Sequence, residues 1–198
     1  MIIRRLSPTY ASEFRRLRLK ALKESRTAFG SSYSEEVKQP LVSFKKRLKV
    51  SADNWVFGSL EGKNLIGVLR LVREEGKKER HKASIYGMYV APSERRRGIA
   101  RKLLEKAMET AKKLKGIRQI RIAVVTSNTA AIALYEKAGF AEYGKEEESL
   151  LISGGFYSES LMVKKLYKSR LRAFSNVRYR KIAIGNSCNA GAGASGII

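Results

Sequence analysis

Arg95-Arg96-Arg97-Gly98-Ile99-Ala100 is the junction on which the reading of this chain turns. Before it, Ile85-Tyr86-Gly87-Met88-Tyr89-Val90-Ala91 is apolar and rich in β-formers, and Pro92 ends the run by removing a ladder donor. After it, Ile99, Ala100, Leu103, Leu104, Ala107, Met108, Ala111 and Leu114 recur at three- and four-residue steps, the buried stripe of a helix closed by Gly116. The order is strand, basic glycine loop, helix. The first turn of such a helix offers unpaired N–H groups and a partial positive charge, and a glycine lets an anion approach the backbone. With the charges of Arg95, Arg96 and Arg97 around it, the junction reads as a diphosphate socket; the alternative is a basic turn that only solvates a helix start.

Working outward toward the N-terminus, residues 65 to 72 (Leu-Ile-Gly-Val-Leu-Arg-Leu-Val) and 55 to 60 (Trp-Val-Phe-Gly-Ser-Leu) are β-rich and flank the turn residues Glu61-Gly62-Lys63-Asn64, so they form a hairpin. Charged residues 73 to 82, with Gly76 and the lone His81, form the next turn, where His81 reads as a solvated turn residue rather than a base. Ile2 to Leu6 is a short strand. Ser7-Pro8 supplies a cap and a first-turn proline for a helix with Phe14, Leu17, Ala21 and Leu22 inward, running to about Glu24. Pro40 opens a second short helix through Phe44 and Leu48. Between them, residues 25 to 39 lack a clear period and read as a loop carrying Tyr33, Glu35 and Glu36, a plain surface connection or a binding lip.

On the C-terminal side, Ile120, Ile122 and Val124 alternate with Arg118 and Arg121 in a strand over 117 to 125, which the helical crossover makes a parallel neighbour of the strand at 85 to 91. Ser127-Asn128 then caps a helix containing Ala130, Ala131, Ala133, Leu134 and Ala138, closed by Gly139. Residues 140 to 152 and 156 to 166 form two more strands joined at Ser153-Gly154-Gly155. The sum is a mixed α/β domain of about seven strands and four helices.

At 198 residues, 43% of them hydrophobic, the chain suits one domain with a substantial core. It has neither a run of about eighteen apolar residues nor the basic, apolar, small-residue order of a signal peptide, so a cytoplasmic, soluble protein without a membrane partner is expected. A single cysteine, Cys188, allows no internal disulfide and fits a reducing compartment. No His, Cys, Asp or Glu cluster has metal-ligand spacing, so no metal is expected. The 41 basic residues against 18 acidic ones give a formal charge of +23, which attracts polyanions, whether nucleotide cofactors or nucleic acid. Part of that charge is local, because residues 164 to 181 carry Lys164, Lys165, Lys168, Arg170, Arg172, Arg178, Arg180 and Lys181 and no acid. A domain over 1–166, a basic extension over 167–184 and a disordered glycine-rich tail over 185–198 are the expected divisions.

Two stretches in order resemble the GNAT superfamily of acetyl-coenzyme A-dependent N-acetyltransferases. Arg95-x-x-Gly98-x-Ala100 looks like that family's pyrophosphate loop, and Asn128-Thr129-Ala130-Ala131-Ile132-Ala133-Leu134-Tyr135-Glu136-Lys137-Ala138-Gly139-Phe140 like its second cofactor motif. The resemblance runs from residue 2 to about 166 and leaves the closing segment without a counterpart. It implies a GNAT-like fold, a mostly antiparallel mixed sheet with a V-shaped splay between its fourth and fifth strands, often beside a bulge in the fourth. The main chain at Met88, Tyr89 and Val90 would hold the pantetheine arm and acetyl carbonyl there. Amides from Arg95 through Arg96, Arg97, Gly98, Ile99 and Ala100 to Arg101 would hold the pyrophosphate, and Asn128 the cofactor arm.

Tyr135, at the family's tyrosine position, would lie near the coenzyme sulfur. A phenol of pKa about 10 held against a thiolate whose parent thiol has pKa about 8.5 can act as general acid in direct acyl transfer. By the same resemblance, the loop with Tyr33, Glu35 and Glu36 would stand at the acceptor mouth, where a carboxylate could serve as base or attract a cationic amine. The expected function is acetyl transfer from acetyl-CoA to a primary amine on a small molecule or a protein. Two other classes stay open: an acetyl-CoA-binding regulator without turnover, which keeps both motifs, and a nucleic-acid-binding protein, which explains the charge but not the two motifs. Pairing through the last strands as a homodimer is compatible with the pattern.

Overall fold

Side chains on alternate positions of the central strands are buried on opposite faces, and this period-two pattern builds the sheet of the computed structural model, which describes residues 1–166. The strands are β1 (Ile2–Arg5), β2 (Asn54–Glu61), β3 (Asn64–Arg73), β4 (Lys82–Val90), β5 (Gln119–Val125), β6 (Ala141–Ile152) and β7 (Gly155–Lys165). They form one seven-stranded sheet in the order β1-β2-β3-β4-β5-β7-β6. Only the β4–β5 pair is parallel, as the helical crossover between them requires. The expected basic extension over 167–184 and tail over 185–198 lie outside the described residues.

Helices cover both faces. One layer holds α1 (Ala11–Glu24) and α3 (Leu41–Arg47), whose Phe14, Leu17, Leu22 and Phe44 pack with Val56, Leu65, Val68 and Tyr89. The other holds α4 (Ile99–Lys113) and α5 (Thr129–Lys137), with Leu103, Leu104, Ala107 and Tyr135 against Phe57, Leu69, Ile85 and Ile120. The stripe read from Ile99 to Leu114 is the buried face of α4 as far as Ala111, with Leu103, Ala107 and Ala111 fully covered, and Leu114 follows the helix in extended backbone.

Several expectations are corrected. The described residues contain five α-helices rather than four, because residues 25 to 39 are not one loop: α2 (Tyr33–Glu36) is nucleated there by a capping box. The Glu35 N–H donates to Ser32 Oγ at 3.2 Å, and the Ser32 N–H donates to the Glu35 carboxylate at 3.3 Å. Ser7 does not cap α1; its hydroxyl bonds Thr9 Oγ1 at 2.6 Å, and Pro8–Tyr10 forms a separate 3-10 turn before α1 starts at Ala11. β4 begins at Lys82, three residues before its apolar run, because its first residues pair with both β3 and β5.

β4 departs from a regular paired strand in two ways. Its parallel pairing with β5 covers only Lys82–Ser84 against Gln119–Arg121, after which the two strands part. Val68 faces Tyr89 and Arg70 faces Tyr86, so Leu69 of β3 stands opposite two residues of β4, Gly87 and Met88. That is a β-bulge, and Gly87 supplies its left-handed backbone with φ +60. The extra residue shifts the alternation of β4 by one. Met88 and Val90 therefore turn to the α4 side with Ala83 and Ile85, while Tyr89 turns to the α1 side.

Candidate active site

Where β4 and β5 part, the sheet opens into a cleft of about 1240 Å³ walled by residues 84 to 90 of β4 and 121 to 125 of β5. Of the residues singled out in the sequence, Met88, Tyr89, Val90, Arg95, Ala100, Asn128, Tyr135 and Glu36 line it. Tyr33 and Glu35 do not. Tyr33 stacks under the Lys23 ammonium, 4.6 Å from the ring centroid, and faces a separate hollow of about 710 Å³ beside α1. Glu35 is exposed and occupied with capping α2, and the Ser32 hydroxyl and amide hold its carboxyl below the usual range.

At one end of the cleft stands the start of α4. Gly98 is its N-cap with φ +72 and no side chain to satisfy the first turn. The first helical hydrogen bond is donated by the Lys102 N–H to the Gly98 carbonyl at 3.1 Å, which leaves the N–H groups of Ile99, Ala100 and Arg101 ahead of it. Arg96 also takes a left-handed backbone, with φ 64, a conformation that costs a side-chain-bearing residue about 1–2 kcal/mol. The loop is thus coiled under strain in front of open amides.

The loop's arginines divide differently from the sequence expectation. Arg97 turns to Glu61, at 2.7 Å, and to Glu94, so its charge is spent bracing the loop to the end of β2. Arg101 pairs along the helix with Glu105 at 2.8 Å. Arg95 remains in the cleft, its Nε donating to the Val90 carbonyl at 3.2 Å and its guanidinium lying over the Tyr89 ring. Arg96 is exposed, and the Ile99 side chain is buried in the core, so from these two only the main chain and the Arg96 charge can meet a ligand.

The opposite wall is α5. Asn128 Oδ1 accepts the Ala131 N–H at 3.2 Å and fixes the helix start. At the other end, Gly139 and Phe140 donate to the carbonyls of Glu136 and Tyr135 at 2.8 and 3.0 Å, a Schellman closure. Phe140 then packs edge-on against Tyr135, ring centroids 5.8 Å apart. The Tyr135 hydroxyl points to Met88 Sδ at 3.5 Å. Burial pushes its pKa above the ordinary phenol value, so it is a neutral hydrogen-bond donor at physiological pH.

The other end of the cleft is polar. Glu36 is buried, accepts both bonds of Arg47 at 2.7 and 2.8 Å, and has Arg18 Nε at 3.6 Å. The Tyr89 hydroxyl donates to Glu24 at 2.5 Å, and Glu159 accepts from Ser149 at 2.6 Å. Sequence reading did not find Gly87, Arg18, Arg47 or Arg70 as parts of this site. A glycine inside an apolar strand run was the one local signal, because a strand interior loses packing there unless the backbone needs the freedom. Among the described residues, no group of three or more His, Cys, Asp or Glu could hold a metal, and no helix is long and apolar enough to cross a membrane.

Comparison with known proteins agrees with this architecture. A structure from Streptococcus pneumoniae described as an acetyltransferase of the GNAT family superposes with a TM-score of 0.75 at 24% identity, covering 83% of this chain and 99% of that one. NAA60 of Arabidopsis thaliana in complex with acetyl-CoA gives a TM-score of 0.64 at 17% identity over 83% and 98% of the two chains. At these identities they share the fold. The spermidine N(1)-acetyltransferase of Vibrio cholerae serotype O1 is 30% identical over 105 residues, 53% of this chain, and the match spans only 57% of that relative's length. The model of the acetyltransferase (GNAT) family matches residues 19–140, from α1 through the second motif, and the chain belongs to that family.

Proposed function

We propose that this chain is an N-acetyltransferase that moves an acetyl group from acetyl-CoA directly to a primary amine. The observation that carries the reading is the single cleft joining the open start of α4, the gap between β4 and β5, and Tyr135. Family membership and the likeness to a fold solved with acetyl-CoA support it.

The residues present fit that co-substrate. The uncapped amides of Ile99, Ala100 and Arg101, with Arg95 and Arg96, suit a diphosphate, because helix N-terminal N–H groups and arginine forks both favour it. The cleft is long enough to take an extended arm along β4, and Asn128 keeps its side-chain amide N–H groups for that arm while its oxygen caps α5. Acetyl-CoA supplies the activated acetyl thioester. β4 offers main-chain groups at its parted edge beyond Ser84 to orient the acetyl carbonyl, and the bulge at Gly87 and Met88 sets their direction. Tyr135, neutral and fixed beside Met88, donates a proton to the departing sulfur as general acid.

Calorimetric titration with acetyl-CoA at moderate salt, with ATP as the polyanion control, tests the reading. A clear preference for acetyl-CoA is expected, followed by thiol release in an amine screen. Equal, weak binding of both ligands that vanishes as salt rises would leave only a basic patch.

A further inference from the structure

Three arginines from three elements line the polar end of the cleft, and two of them share one carboxylate. Arg18 of α1 and Arg47 of α3 both pair with Glu36, whose side chain is 7% exposed, while Arg18 itself is only 13% exposed. Arg70 of β3 donates Nε to Asn54 Oδ1 at 2.7 Å, and among the described residues no carboxylate is paired with it. Three guanidinium groups against one carboxylate leave a surplus of positive charge in a partly desolvated place. Burial, and next the charge of Arg47, depress the pKa of Arg70, and the same two causes oppose Glu36 at Arg18. The remaining charges of the cleft do not cancel the surplus. Arg121 is matched by Glu74 at 3.0 Å, Glu24 is taken by Lys20 and Tyr89, and the one negative charge that Glu159 adds to the lining is equalled in number by Arg95.

The surplus stands beside the parted strands. Arg70 faces Tyr86 across the β3–β4 ladder, one residue before the bulge. Arg18 Nη1 lies 3.7 Å from the point where a Cβ on Gly87 would stand, so its guanidinium hangs over the bulge itself. A second cation entering here would meet like charge in a low-dielectric setting, whereas an anion would relieve it. Arginine forks accept a carboxylate with two parallel bonds, which also orients whatever is attached to it.

We propose, on the acetyltransferase reading above, that the acceptor amine carries a carboxylate close to its nitrogen, as an amino acid does. Arg70 and Arg47 bind that carboxylate, and the amine is thereby directed into the gap between β4 and β5. A polyamine, which brings only positive charge, is disfavoured at the same place.

The test compares thiol release at saturating acetyl-CoA for a set of amino acids, the carboxamide of each, and spermidine. The members of each pair differ only in the carboxylate. At least one amino acid is expected to exceed its carboxamide by about tenfold or more in kcat/KM, the worth of a charge-assisted hydrogen bond. Arg70→Gln is expected to bring that ratio close to one while acetyl-CoA affinity and the melting temperature hold. Carboxamides or spermidine used as well as the amino acids would overturn the proposal. So would a protein that binds acetyl-CoA but acetylates no amino acid, or a ratio that survives in Arg70→Gln. The wild-type ratio decides the matter even where the variant fails to fold. If acetyl-CoA binds no better than ATP, the transferase reading itself fails, which calorimetry separates from a failure of the carboxylate preference alone.

Discussion

The Tyr135 hydroxyl stands 3.5 Å from the Met88 sulfur, so α5 and the bulged part of β4 meet on one wall of the cleft. Among the described residues no charged or strongly polar partner competes for that phenol, and its ring packs in the apolar core beside Phe140. Removing the oxygen should therefore leave packing nearly intact. Tyr135→Phe is expected to lower kcat by about a hundredfold, typical of a lost general acid, with acetyl-CoA affinity almost unchanged. Steady-state kinetics with calorimetry checks this; equal losses in binding and turnover would make Tyr135 a structural residue.

Alkaline pH gives a second handle on the same ring. Burial raises the Tyr135 phenol above its ordinary value, and burial first, then the hydrogen bond to Glu24, raises Tyr89. The unfolded chain loses these protons first. Their contribution to stability is therefore fully present below about pH 10 and is lost as pH climbs from there toward the folded-state values. Denaturant midpoints should fall above about pH 10, and Tyr135→Phe should flatten that fall by one proton's worth of slope.

Gly98 tests the anion end. A Cβ there meets no atom of the described residues within 4 Å, but φ is +72, so a side chain is opposed by backbone strain rather than by crowding among them. Gly98→Val is expected to cost about 1–2 kcal/mol of stability. By covering the amides of the first α4 turn it should also weaken acetyl-CoA by about tenfold, the loss of one charge-assisted hydrogen bond. Thermal melts and titration read the two effects separately.

Glu36 tests whether the ion cluster is structural. Its carboxylate is the shared counter-charge of Arg18 and Arg47, and Glu36→Ala would leave Arg18 buried without one. A loss of about 3–5 kcal/mol is expected in chemical denaturation. The double replacement Arg18→Met with Glu36→Leu should cost less than Glu36→Ala alone, because the more deeply buried Arg18 charge is removed with its partner and only the half-buried Arg47 loses its counter-charge.

Much of the architecture was legible because it is written in local periods and local punctuation. The stripe from Ile99 to Ala111, the alternation around Ile120, Ile122 and Val124, the Asn128 cap and the turn at Ser153-Gly154 each need only a few neighbouring residues to be read, and each stands as expected. Even the helix that went unread, Tyr33–Glu36, carries its signal in Ser32-x-x-Glu35. What tertiary structure alone decided is which distant side chains answer one another. Arg97 looks identical to Arg95 and Arg96 in the sequence, yet Glu61, 36 residues away, takes its charge. Glu36 looks like a surface partner of Glu35, yet the packing of α1 against α3 buries it between two arginines. The bulge at Gly87 decides which face Met88 and Tyr89 see, because one extra residue inverts a period of two. Local chemistry sets elements and their ends, and only the packed sheet sets register, burial and the partners of charge.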